Sequence, residues 1–162
     1  MRRIVVLACA SAALASCQSV GVHQADSAYG YPACDTAASR DAVARTVHAF
    51  FDALAADDYP ALQQVTTPSF YAFDVGKRYS ARELSEVVRR SHDAGRVINW
   101  NVGPITSRID CSVASAAWEN AGSAGTADKV ESRAWLESAV LVRNDDRWLI
   151  DFLHSTPKDP RP

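Results

Sequence analysis

After Gly95 the helical period in this chain stops. From there on, apolar residues recur in short alternating segments at 97–102, 105–109, 113–121, 131–142 and 148–154. Gly103-Pro104, the Gly/Ser-rich stretch AGSAGTAD and Asn144-Asp145-Asp146 separate them. Period-two alternation bounded by turn-forming residues is the pattern of half-buried strands. Short turns between successive strands predict antiparallel neighbours. With the helical segments gathered ahead of the strands, the expected class is α+β, a curved antiparallel sheet with helices packed on one face.

The N-terminal half supplies those helices. Ser39 is placed to cap the first, and Val43, Val47, Phe50, Phe51 and Leu54 follow at the spacing of one apolar face. Asp57-Asp58 breaks the pattern and Pro60 restarts a short second helix through Leu62 and Val65, which Pro68 ends. FYAFDV at 70–75 alternates as a strand into a turn at Gly76-Lys77. Ser80-Ala81-Arg82-Glu83 has the spacing of a capping box and opens a third helix through Leu84, Val87 and Val88. Residues 18–38 are small, polar and without period, the composition of a flexible tether. The last residues, 158–162, read as a disordered tail.

This order, with HAFFDALAADDYPALQQVTTPSFYAFDVGKRYSAREL at one end and RWLIDFLHSTP at the other, resembles the nuclear transport factor 2-like superfamily. Within it the chain is most similar to the SnoaL-like group, over residues 39–157. The resemblance implies a cone: a strongly bent sheet wrapped on three helices, with a pocket at the open end and frequent dimerisation through the sheet. It does not fix chemistry. The superfamily holds ketosteroid isomerases, polyketide cyclases, dehydratases, dioxygenase small subunits and non-catalytic binding modules.

At the other end, Met1-Arg2-Arg3 precedes the apolar run IVVLACASAA, too short to span a bilayer, which needs roughly 20 apolar residues. The following Leu14-Ala15-Ser16-Cys17 resembles the lipobox of bacterial lipoproteins. That resemblance implies a signal peptide at 1–16, cleavage before Cys17, lipid attachment to its sulfur, and a domain held on the bilayer of the cell envelope. Gln18, where an aspartate would favour retention, implies the outer membrane. An ordinary signal peptide containing a cysteine is the alternative. Outside the cytoplasm, Cys34 and Cys111 are expected either to form a disulfide or to remain two buried thiols. The net charge of −2 becomes more negative once Arg2 and Arg3 are lost, so nothing invites nucleic acid. No cofactor motif and no zinc-type cysteine spacing occur in the sequence.

Two ionisable residues are candidates for chemistry. His154 shares strand parity with Trp148, Ile150 and Phe152, so it is expected to face an apolar pocket as a base or ligand partner, or else to be hydrogen-bonded at the strand end. Asp74, opposite Tyr71 and Phe73 in parity, is either a buried proton shuttle or a solvent-facing residue of the Gly76 turn. The expected lining is Phe50, Phe51, Leu54, Tyr71, Phe73, Trp100, Phe152 and His154. Such a pocket suits a small apolar, ring-containing ligand. Glu131, Arg133, Trp135 and Glu137 share one strand face and are expected on an exposed or dimer-facing surface. The first helix lacks the tyrosine that superfamily isomerases place there, which leans the reading towards a non-catalytic or accessory module that binds a small apolar or amphipathic molecule in the cone or a protein partner through the sheet. An acid–base enzyme of the isomerase, dehydratase or cyclase kind is the alternative.

Overall fold

The computed structural model describes residues 34–158. Its helices are α1 (Ala37–Ala55), α2 (Tyr59–Val65) and α3 (Ala81–Asp93). Its strands are β1 (Thr66–Asp74), β2 (Lys77–Ser80), β3 (Arg96–Asn99), β4 (Thr106–Asp110), β5 (Val113–Thr126), β6 (Lys129–Asn144) and β7 (Arg147–Pro157). Residues 1–33, with the expected cleavage and lipidation at Cys17, and residues 159–162 lie outside the described residues.

Local chemistry sets the helix ends. Thr36, not Ser39, is the N-cap of α1, its hydroxyl accepting the Ser39 amide at 3.1 Å. Asp58 caps α2 by accepting the Ala61 amide at 2.9 Å, with Pro60 in the first turn. Ser80 and Glu83 form the reciprocal capping box of α3. Val43, Val47, Phe50, Phe51 and Leu54 all bury against the sheet, as their spacing requires. Fully burying side chains of this size contributes about 1.5–3 kcal/mol each.

The sheet runs β2-β1-β7-β6-β5-β3, with β4 also on β5. β5 pairs β4 through its first residues and β3 through its last, so the long β5–β6 hairpin curls around the helices. One expectation changes here: the sheet is mixed, because β1 and β7 pair in parallel. Parallel neighbours need a long crossover, and everything from β2 to β6 lies between them. The segment AGSAGTAD, expected to be a loop, mostly continues β5. A side chain at Gly122 would collide with the Asn99 carbonyl, and one at Gly125 with the Lys129 carbonyl. Glycine permits this close approach of neighbouring backbone.

β7 carries a bulge. Leu141 pairs Ile150 and Val140 pairs Phe152, leaving Asp151 as the extra residue. Its carboxylate accepts the hydroxyls of Thr67 at 2.6 Å and Ser69 at 2.9 Å. The extra residue reverses the parity of everything after it. Trp148 and Ile150 point inward before the bulge, and Leu153 and Ser155 point inward after it.

Cys34 and Cys111 are joined by a disulfide, with Cα atoms 4.9 Å apart. It ties the residues preceding α1 to the β4–β5 turn.

Candidate ligand pocket

Between α1, α3 and the inner face of the sheet lies a cavity of about 230 Å³. Phe50, Phe51 and Leu54 from α1, Leu84 and Val88 from α3, and Trp100 form much of its wall. Four of the eight expected lining residues, Phe50, Phe51, Leu54 and Trp100, are therefore at the cavity. Tyr71, Phe73, Phe152 and His154 are not. They stand together on the outer face, with Tyr71 and Phe152 ring centroids 5.0 Å apart and Phe73 43% exposed. Phe70, Ala72 and Asp74 are the inward residues of β1, and the bulge at Asp151 turns Phe152 and His154 outward. His154 is exposed and its Nε2 lies 3.2 Å from the Thr156 hydroxyl. Asp74 lines the cavity while His154 does not, so the two cannot act there as an acid–base pair.

The polar wall is built from three adjacent strands. Asp74 on β1 is the register partner of Ser155 on β7, and Ser155 is the partner of Glu137 on β6. All three side chains line the cavity. Glu137, expected on an exposed face, is only 6% exposed. β6 is longer than the layer of helices beneath it. Trp135 and Glu137 reach the cavity, whereas Glu131 and Arg133 on the same face pair with each other beyond its rim.

Glu137 accepts three hydrogen bonds. Trp118 Nε1 donates to Oε2 at 2.7 Å, Asn120 Nδ2 to Oε2 at 3.0 Å, and Ser155 Oγ to Oε1 at 3.1 Å. Asn120 is itself held in place, its Oδ1 accepting the Asn101 amide at 2.8 Å. Burial raises the Glu137 carboxyl above its ordinary range, the three donors oppose that, and the charge of Asp74 adds to it. Burial likewise raises Asp74, against the Val75 amide, the nearby His154 and the Ser155 hydroxyl. A serine hydroxyl has one proton, and here it points to Glu137. The donor set therefore favours charge on Glu137, leaving Asp74 as the carboxyl that more readily holds a proton against the cavity.

Sequence reasoning missed Glu137, Ser155 and Asn120. The signal for Glu137 was present: it shares period-two parity with Trp135, Ala139 and Leu141, which places an acid in an apolar row. Among the described residues no group of three His, Cys, Asp or Glu side chains is placed to hold a metal ion.

The chain matches no protein-family model and no curated protein by sequence. Its fold does match solved structures. One is an NTF2-like protein with a cystatin-like fold from Novosphingobium aromaticivorans, at a TM-score of 0.65 and 13% identity, covering 78% of this chain and 93% of that one. Another is a ketosteroid isomerase-like protein from Erwinia carotovora atroseptica, at 0.60 and 15%, covering 74% and 96%. A third is the association domain of C. elegans CaMKII, at 0.60 and 18%, covering 74% and 95%. The fold is thus nuclear transport factor 2-like, an α+β cone of three helices and a strongly curled sheet. At these identities the likeness defines the architecture alone, and an isomerase-like protein and an association domain share it.

Proposed function

We propose that the protein binds a small ring-containing molecule in the cone, as a lipid-anchored module of the bacterial cell envelope. The observation that carries the binding role is the cavity itself: apolar and aromatic walls around the Asp74–Ser155–Glu137 row. A few convergent polar groups in an otherwise apolar concavity are the usual make-up of a small-molecule site. A hydroxyl or carbonyl on the ligand finds a partner in the Asp74 carboxyl, while the rings pack on Phe51 and Trp100. The anchor rests on the N-terminal sequence, Arg2-Arg3, the apolar run and LASC, and mass spectrometry of the mature N-terminus tests it.

For the cavity, the test is titration of ring-containing envelope metabolites by tryptophan fluorescence, against wild type and Ser91→Phe. Ser91 lies half-buried at the cavity on α3, so phenylalanine there fills the space without displacing a core residue. Binding should vanish in this variant. Equal binding by both proteins would place the ligand elsewhere.

An acid–base enzyme is the second reading, and one observation favours it. Asp74 is a half-buried acid that faces the cavity, its carboxyl raised above the ordinary range by burial. In this reading Asp74 is the catalytic acid–base and Glu137 and Ser155 position it, with no part for His154. A homodimer through the sheet is also proposed. Tyr71, Phe73 and Phe152 form an aromatic cluster on the outer face, and Leu136 on neighbouring β6 is 53% exposed. Sedimentation of wild type against Phe73→Asp tests it, the variant being monomeric if the cluster is the interface.

A further inference from the structure

The mouth of the cone has a charge that the pocket interior lacks. Arg96, the first residue of β3, lines both the cavity and a shallow groove outside it. Ala124 and Trp135 line both as well, so the two spaces meet at these three residues. The groove has two more cations, and each is already engaged. Arg133 is 2.6 Å from Glu131, and Lys158 is 2.8 Å from Glu119. Among the described residues Arg96 has no carboxylate partner, and its side chain is exposed.

We propose that Arg96 receives the anionic end of the ligand, which makes the ligand an amphipathic monoanion: an apolar ring or chain inside the cone, with a carboxylate, sulfonate or phosphate outside. The inference rests on the cone being a ligand pocket. Orientation follows from the wall charges. An acidic head placed against the polar wall meets the charge favoured on Glu137, with the Asp74 carboxyl beside it, whereas the one cationic side chain of the lining, Arg96, stands where the cavity meets the groove. The same head at the mouth meets an unpaired guanidinium able to bind it with two parallel hydrogen bonds. Trp135, shared by both spaces, offers an apolar surface at the crossing point.

The test uses two fluorescent probes with the same aromatic body, neutral N-phenyl-1-naphthylamine and its sulfonated relative 8-anilinonaphthalene-1-sulfonate. Titrations compare wild type, Arg96→Gln, Arg96→Lys, Arg133→Gln and the outer-face variant Phe73→Ser. Wild type should bind the sulfonate about tenfold more tightly than the neutral probe, the size of one charge-assisted contact. Arg96→Gln should remove that difference without changing the neutral probe, and Arg96→Lys should restore part of it. Raising the salt should weaken the sulfonate alone. Arg133→Gln and Phe73→Ser should leave both titrations unchanged. Equal binding of the two probes by wild type, or a sulfonate preference that survives Arg96→Gln, overturns the proposal while leaving the pocket reading intact. Loss of the sulfonate signal in Phe73→Ser overturns it too, by moving the probe to the outer face. Failure of both probes to bind removes the pocket reading and this inference with it.

Discussion

Replacing Glu137 with glutamine should stabilise the protein, and more so as the pH rises. The side chain is buried, and burial raises its carboxyl above the usual range. A carboxyl that holds its proton more tightly when folded than when unfolded contributes stability that is complete below the unfolded value. That stability is lost as pH rises from the unfolded value through the raised folded one. Every tenfold difference in proton affinity costs about 1.4 kcal/mol once the group is ionised in both states. Glutamine removes the charge but keeps the shape. Its carbonyl oxygen, placed where Oε2 is now, still accepts from Trp118 and Asn120, and its NH2 can donate to Ser155 Oγ. The Ser155 proton is then released to turn towards Asp74. No donor is orphaned, so the usual penalty of about 1–3 kcal/mol for an unsatisfied buried group does not arise. The wild type and Glu137→Gln should be nearly equal near pH 4.5. The variant should lead by on the order of 1–2 kcal/mol near pH 8. Urea unfolding followed by tryptophan fluorescence across this range measures the gap. Parallel stability curves would show that Glu137 does not titrate there. A glutamine variant weaker by 2 kcal/mol or more at every pH would show that Trp118 and Asn120 require a full negative charge. Either result refutes the reasoning.

Three further outcomes follow from the same geometry. Asp74→Asn should retain the fold and abolish any pH dependence of ligand binding, or any turnover, that sets in as the raised Asp74 carboxyl ionises; titration at several pH values reads this. His154→Ala should leave cone binding within about twofold, because the side chain is on the outer face, and a tenfold loss in the same titration would contradict the assignment. Cys34→Ser with Cys111→Ser opens a loop spanning a sequence separation of 77, for which the chain-entropy model gives about 4–5 kcal/mol, so a loss of about 2–4 kcal/mol in denaturant unfolding is expected.

The sequence disclosed local structure better than it disclosed which side faces the pocket. Helix faces and caps depend on residues three or four apart, and the stripe from Val43 to Leu54 and the box at Ser80-Glu83 both stand in the structure as read. Strand parity is more fragile. A single extra residue at Asp151 moves His154 and Phe152 from one face to the other, and no turn residue announces it. On β1 the alternation was legible, but not which half of it faced the helices. Aromatic Tyr71 and Phe73 pointed to the wrong answer, since small Ala72 and acidic Asp74 are the inward pair. The parallel contact of β1 with β7 joins distant parts of the chain, beyond the reach of any local pattern. Glu137 was hidden by its neighbours: Glu131 and Arg133 made its face look polar, although only the far half of β6 covers the cone.

The bond from Cys34 to Cys111 also decides how the domain bears load. It closes immediately before α1 and ends at the tight turn between β4 and β5. Tension entering from the N-terminal side therefore passes through sulfur directly into that hairpin, bypassing all three helices and the first four strands. Those elements, enclosed by a bridge spanning a separation of 77 residues, cannot be drawn out while the bond is intact. That withholds roughly 260 Å of chain from extension. Under oxidising conditions only β5, β6 and β7 are available to peel. Reduction turns the same pull into a force on α1, so the mechanical order of failure is set by the redox state rather than by the depth of the core.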